Sequence, residues 1–332
     1  TNLRVNLDAT NRNSLASNSA TSWNSIAPGQ AASSIGKNAS FAATSTPGQV
    51  SFSSNASNAS VNFGHITPAE ITGDITVEAW VKLDSGFTGS SQESVIANHY
   101  FASGGSKSAA SMDWYFRIAN GRLVLFTSNT SAVESSVYSS VIVTSAWADK
   151  WIHVGFTQLA NGSVQFYFNG KPVDSPLAAN ARRGSTTAIF QIGNGLTTQL
   201  NAISRFRMYA EALTSTQISS NFELEYATFG QKKITFNSNI GAGSTTTTQI
   251  VTSNSSTALS ANTFTRSGYT FSGWATTSDG TVTYNNNGNV TLTSDTTLYA
   301  VWSALTHSIT FYDANSGSGS GGDGGTAPTA QT

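Results

Sequence analysis

The chain contains no cysteine, so disulfides and thiolate chemistry are both excluded and folding rests on core burial. Charge is also scarce. Asp, Glu, Lys and Arg make up 10% of the 332 residues, against roughly a quarter in an ordinary soluble domain. The net charge is −1, and no basic run exceeds the pairs Arg182–Arg183 and Lys232–Lys233. That excludes the concentrated basic footprint that nucleic-acid binding requires. No apolar run approaches the roughly 18 residues of a spanning helix. No signal peptide is visible, and Thr1 in place of Met fits a mature chain trimmed of its leader. Helical periodicity is nearly absent, its best stretch running from Thr214, a suitable N-cap, to Phe222.

Ser, Thr and Asn fill the gap, with 51, 43 and 28 residues. A surface solvated by hydroxyls and amides suits a secreted or surface-displayed β-protein better than a cytosolic enzyme. Hydrophobic residues at 38% and aromatics at 11% still allow a substantial core. Strand patterns meet at Asn-Gly steps three times. Trp114–Ile118 passes through Asn120-Gly121 into Arg122–Phe126, Trp151–Phe156 through Asn161-Gly162 into Val164–Phe168, and Asn169-Gly170 leads into Lys171-Pro172-Val173. Asn-Gly accepts the positive φ angles of a type I′ turn, whose twist suits antiparallel strands. Alternation places Trp114, Phe116 and Ile118 on one face, and Val164, Phe166 and Phe168 on another. The expected core holds Phe116, Ile118, Leu125, Phe156, Phe166 and Phe168. The fold class is all-β: an antiparallel jelly-roll sandwich over residues 1–228, followed by a smaller β-rich domain.

Composition shifts near Thr228. Ile234-Thr235-Phe236-Asn237 returns as Ile309-Thr310-Phe311-Tyr312, a period of about 75 residues that marks tandem modules. Residues 229–303 form one module, with Phe236, Tyr269, Phe271, Trp274 and Trp302 as its expected core. Residues 304–332 open a second, incomplete one with a Gly/Ser-rich tail over 316–325. The strand at 307–313 is expected to pack on a neighbouring subunit or to continue into further repeats.

Several segments together resemble a laminin-G-like domain of the concanavalin A-like lectin/glucanase superfamily. They are Leu3–Ala9 with Trp23, Ile75–Lys82, Trp151–Thr157, Phe168–Val173, Ile189–Gly193 and Ile203–Tyr209 running on to Thr214. Ile234–Trp302 is similar to the Listeria–Bacteroides repeat, through Gly268–Ala275 and Thr297–Trp302. That resemblance implies a small β-grasp-like stalk module.

The superfamily includes hydrolases, but its Glu-x-Asp-x-x-Glu strand is missing here. Glu78 is followed by Trp80 and Leu83 instead, and Glu223 and Glu225 would share a face only if extended, at the domain end. His153 has no accompanying Ser or Cys motif and reads as a strand histidine. His65, His99 and His307 show no zinc spacing. Gly36-Lys37-Asn38 fails as a phosphate loop. The chain is therefore expected not to be an enzyme.

Calcium is the one cofactor the resemblance implies, held by loop oxygens among which Asp8, Asp84, Asp113 and Asp174 are the available carboxylates. The acidic pair that relatives carry after the Ser-Phe strand is absent from Ser51–Ala56, and turn caps are the alternative role for all four. Trp80, Trp114 and Trp151 suit sugar stacking or, as their alternation favours, core burial. Seven Asn-x-Ser/Thr sequons, beginning at Asn38, Asn55, Asn58, Asn129, Asn161, Asn254 and Asn289, are what chance gives in such a composition.

The expected function is that of an extracellular bacterial surface protein. It would bind a glycan or cell-surface protein through the rim or sheet of residues 1–225 and be displayed on repeat modules. The alternative is a self-assembling subunit of a surface layer, sheath or filament.

Overall fold

A computed structural model describes residues 3–11, 23, 27, 34–35, 39–42, 47–52, 60–65, 73–89, 93–101, 112–182, 188–193 and 200–306. It divides the chain into two compact units, Thr1–Gly230 and Gln231–Thr332. The repeated strand at 307–313 and the Gly/Ser-rich tail lie outside the described residues.

The first unit runs β1 (Leu3–Asp8), β2 (Ser34–Ile35), β3 (Ala39–Ala42), β4 (Gln49–Phe52), β5 (Ser60–His65), β6 (Ile75–Leu83), β7 (Glu93–Phe101), β8 (Met112–Ala119), β9 (Arg122–Ser128), β10 (Glu134–Tyr138), β11 (Trp151–Gln158), β12 (Ser163–Phe168), β13 (Lys171–Ala178), β14 (Ala188–Gly193), β15 (Leu200–Tyr209) and α1 (Ser215–Glu223). Two sheets result. One has the order β13-β12-β11-β6-β15-β4-β3 with β1 also on β15, and the other the order β10-β9-β8-β7-β14-β5-β2. The pairings within both are antiparallel.

Alternation decides what lies between the sheets. Val77, Ala79 and Val81 of β6, Trp114, Phe116 and Ile118 of β8, and Phe156 and Phe166 share one buried core. Phe168 packs at its margin, half-buried against Trp147, with ring centroids 5.2 Å apart.

The hairpins follow their turn residues. Asn120-Gly121 and Asn169-Gly170 both take positive φ at both positions, as a type I′ turn requires. Asn161-Gly162 does not: only Gly162 is left-handed. There Gly162 N–H donates to Leu159 O at 2.9 Å and Leu159 N–H to Ser163 O at 2.8 Å, while Asn161 Oδ1 accepts from Ser163 N–H. The longer loop uses the Asn as a local cap instead. α1 opens on a capping box in which Thr214 and Gln217 satisfy each other's backbone N–H groups.

The second unit holds β16 (Gln231–Asn237), β17 (Thr246–Thr252), β18 (Thr257–Ala258), β19 (Tyr269–Ala275), β20 (Asn289–Val290) and β21 (Thr296–Ala304). Its main sheet has the order β17-β16-β21-β19, with β16 and β21 parallel. Ile234, Phe236, Trp274, Leu298 and Ala300 form its core, with Phe271 and Trp302 half-buried against it. Tyr269 is a correction to the expected core. It is 36% exposed, because it pairs with Ala304 at the far end of β21, and its ring lies 3.7 Å from the Arg266 guanidinium carbon.

Candidate functional site

The outer face of each sheet carries the residues left over from the core, and the two faces differ. On the eight-stranded sheet, Glu78 and Trp80 of β6, His153 of β11, and Arg205, Arg207 and Tyr209 of β15 point away from the sandwich. α1 and the turn Tyr226–Phe229 cover this face. Trp80 stacks on Phe222 and Phe229, with centroids 5.5 and 4.1 Å away, and His153 meets Phe222 edge-on at 5.7 Å. Trp80 and Trp151 are therefore buried by this cap rather than by the sandwich core, and Trp114 by the core itself.

The carboxylates beneath the cap are occupied. Glu78 accepts from Tyr209 OH at 3.2 Å, Arg207 Nη1 at 3.2 Å and Asn221 Nδ2 at 2.8 Å. Glu225 accepts from Trp80 Nε1 at 2.7 Å and Arg205 Nη1 at 2.8 Å, and it also bonds Arg207 Nη2. Burial alone would raise the Glu78 pKa, but His153 and the Arg207 guanidinium outweigh it and hold the carboxyl below its usual value. His153 Nε2 stands 3.5 Å from Glu78 Oε2, an ion-pair distance rather than a hydrogen bond. Glu223 and Glu225 do not share an extended face. Glu223 ends α1 exposed, whereas Glu225 turns inward. This cluster fastens the cap to the sheet.

The seven-stranded sheet is different, since the one α-helix among the described residues lies on the other sheet. Its register lines up one rung of polar and aromatic residues across all seven strands. The rung reads Ser136, Phe126, Tyr115, Asn98, Gln191, Asn62, Ser34. Gln191 Nε2 donates to Asn62 Oδ1, and Asn98 Nδ2 to Gly193 O at 3.0 Å.

One step along, Glu93 accepts from Tyr115 OH and from Arg117 Nη1, the latter at 3.0 Å. The Arg117 guanidinium lies 5.0 Å from the centre of the Tyr115 ring. Burial and then the Glu93 charge push the Tyr115 phenol up, so it stays a neutral donor. Burial works against the Arg117 charge, but Glu93 wins and raises its pKa. The Arg117 and Glu93 side chains remain 24% and 33% exposed. Tyr138, paired with Val124 beside Arg117, is 50% exposed. Tyr115, Asn98 and Gln191 are themselves buried, so what this face offers a ligand is the Glu93–Arg117 pair, which can hydrogen-bond hydroxyls, and the Tyr138 ring, which can stack on a sugar. The sequence signal for this rung is Asn98 and Gln191, amides interrupting the apolar runs Val95–Ala97 and Ile189–Ile192.

The four aspartates expected to hold calcium do not converge, and no three His, Asp or Glu among the described residues cluster for a metal. Asp8 pairs with Arg205 Nε at 3.2 Å and accepts from Thr10 N–H at 2.9 Å. Asp84 accepts from Gly86 N–H, and Asp174 from Ser140 N–H. Asp113 is buried against His99 Nδ1 at 3.0 Å. Asp8, Asp84 and Asp174 thus make the hydrogen bonds of turn and loop caps, while Asp113 serves inside the sheet.

The profile of the concanavalin A-like lectin/glucanases superfamily, in its laminin G form, matches residues 53–219, half of the chain. That of the Listeria-Bacteroides repeat domain matches residues 233–301. No curated protein matches the sequence. Among solved structures, the fold is similar to the binding domain of botulinum neurotoxin serotype G (TM-score 0.50, 16% identity, covering 67% of this chain and 50% of that one). It is also similar to the serotype D binding domain (0.50, 15%, 71% and 56%). A third is the binding domain of botulinum neurotoxin DC in complex with SialylT (0.51, 15%, 67% and 51%). This chain spans about half the length of those structures, and at such identity the likeness is one of fold. With its cap, its two-sheet core and the profile match agreeing, the chain belongs to the concanavalin A-like lectin/glucanases superfamily, a laminin-G-like unit followed by a Listeria–Bacteroides repeat.

Proposed function

We propose that this is a non-catalytic extracellular binding protein of a bacterial surface, taking a glycan on the outer face of its seven-stranded sheet. The repeat unit serves as its display module. The observation that carries this reading is the partly exposed Glu93–Arg117 pair with the exposed Tyr138 ring beside it, on the sheet that bears no helix among the described residues. The complex of a structurally similar toxin domain with SialylT supports the choice of a glycan as ligand.

A glycan array probed with the full chain tests it. Binding to a defined glycan should fall at least tenfold in Arg117→Ala and Glu93→Gln, roughly the effect of losing one charged hydrogen bond. Circular dichroism should stay unchanged. Binding that ignores both substitutions would remove the face from consideration.

The second reading is a self-assembling surface subunit, and β17 favours it. This edge strand reads Thr-Thr-Thr-Gln-Ile-Val-Thr, without the charge or proline that usually guards an edge. Light scattering of the purified chain separates the two readings, because a subunit should assemble and a displayed binder should stay monomeric.

A further inference from the structure

Asn-Gly steps shape the hairpins, and the same dipeptide is a chemical weak point. Glycine has no Cβ, so its backbone nitrogen reaches the side chain of the preceding Asn with little hindrance. Four such steps fall among the described residues, at Asn120, Asn161, Asn169 and Asn287. Three of them are held. Asn161 Oδ1 accepts from Ser163 N–H, and Gly162 N–H donates to Leu159 O. Asn169 is buried, and its Oδ1 accepts from His153 N–H at 3.0 Å. After Asn287, Gly288 N–H donates to Asn285 O at 2.9 Å. Asn120 differs on every count. Its side chain is exposed, and among the described residues neither its amide nor Gly121 N–H makes a hydrogen bond.

We propose that Asn120 is a self-modification site, at which this chain converts its own backbone to isoaspartate. The Gly121 nitrogen gives up its proton to solvent base, bonds to Asn120 Cγ and closes a five-membered imide. The Cγ–Nδ2 bond breaks, and that nitrogen takes up a proton and leaves as ammonia. Water then opens the imide at one of its two carbonyls. Opening at Cγ gives plain aspartate. Opening at the backbone carbonyl leaves a free α-carboxylate and a chain that runs through Cγ, one methylene longer. In sum an amide and water become a carboxylate and ammonia, without a cofactor.

The surroundings of the turn give that methylene a consequence. Gly121 is buried, and its carbonyl accepts from Val143 N–H at 2.6 Å. A Cβ on it would stand 2.9 Å from Val143 O and 3.0 Å from Gly89 O, so the turn is closely packed. Beside it, Arg122 Nη1 donates to Ser139 O at 2.7 Å and Leu123 N–H to Ser139 Oγ at 3.0 Å. The turn therefore pins the segment 139–143, and a longer backbone at 120 releases it. The new carboxylate also arises next to Ala119, the partner of Glu93 in the sheet.

Peptide mapping of the full chain, incubated folded at mildly alkaline pH, tests this, with isoaspartate detected by enzymatic methylation. The peptide carrying Asn120 should react about tenfold or more ahead of those carrying Asn161, Asn169 and Asn287, the effect of a hydrogen bond that must break first. In urea the four should react at comparable rates. The aged chain should melt lower and exchange the Val143 amide faster. Asn120→Gly keeps a type I′ turn without the reacting amide and should show neither change. The proposal is overturned if another of the four steps reacts as early as Asn120 in the folded chain. It is equally overturned if Asn120 stays intact while the chain in urea converts, or if the parent and Asn120→Gly age alike.

Discussion

The indole of Trp80 lies flat on the ring of Phe229, with centroids 4.1 Å apart and planes 9° from parallel. Because Trp80 Nε1 also donates to Glu225, a mid-sheet strand is tied to the last turn before the second unit. That turn belongs to the sandwich and is no linker. Phe229→Ala should cost the first unit about 3–5 kcal/mol, as deletion of a packed aromatic does. Urea denaturation should show this, and a chain ending at residue 224 should melt well below one ending at residue 230. Equal melting of the two truncations would mean that the cap contributes nothing.

Glu78 gives the fold an acid limit. Its unfolded carboxyl titrates near 4.5 and its folded one lower, since His153 and Arg207 overcome the opposing effect of burial. Between those two values the unfolded chain binds more protons, so stability rises with pH there. The contribution is complete above about pH 4.5 and disappears as the pH falls through the folded pKa. Urea midpoints measured from about pH 3 to pH 6 should show this limb, and Glu78→Gln should flatten it. The same change should cost about 3–5 kcal/mol at neutral pH, because it breaks a buried pair from one side.

Gly170 tests how tightly α1 seats. Its φ is +74°, and a Cβ there would stand 2.6 Å from the Phe222 ring. Gly170→Ala therefore meets both backbone strain and a clash with the helix that covers His153. A loss of at least about 2 kcal/mol is expected, above the usual cost of a left-handed alanine. Asn169→Gly, which keeps the turn but removes the side-chain acceptor of His153 N–H, should cost less, about 1 kcal/mol. The reverse order in thermal melts would show that the turn matters more than the seat.

The sandwich was legible because its strands are bounded by turn residues and alternate strictly, as in Trp114-Tyr115-Phe116-Arg117-Ile118. The cap was not. Trp80 and Trp151 look like core residues in sequence and are buried, but Trp80 by α1 and Phe229 and Trp151 by Phe229, contacts between residues far apart in the chain that no local pattern encodes. The aspartates are ambiguous for a related reason, since an Asp before a turn, such as Asp84, reads the same whether it binds a metal or a backbone N–H. The amide rung was hidden because register depends on bulges such as those between Val95 and Ala97 and between His99 and Tyr100. One such shift changes which residues share a face.

Each unit has its own core, and this leads to a prediction for the whole chain. Phe166 packs with Phe116 and Phe156 in the first unit, and Phe236 with Trp274 in the second. The two clusters share no residue, and deletions at independent sites act separately. Thermal unfolding should therefore show two transitions. Phe166→Ala should lower only one of them and Phe236→Ala only the other, each by about 3–5 kcal/mol. Tyr269→Ala, removing an exposed ring of the second unit, should stay within about 1 kcal/mol of the parent. Calorimetry of the four proteins decides it. A single transition displaced by both core deletions would show that the units unfold as one.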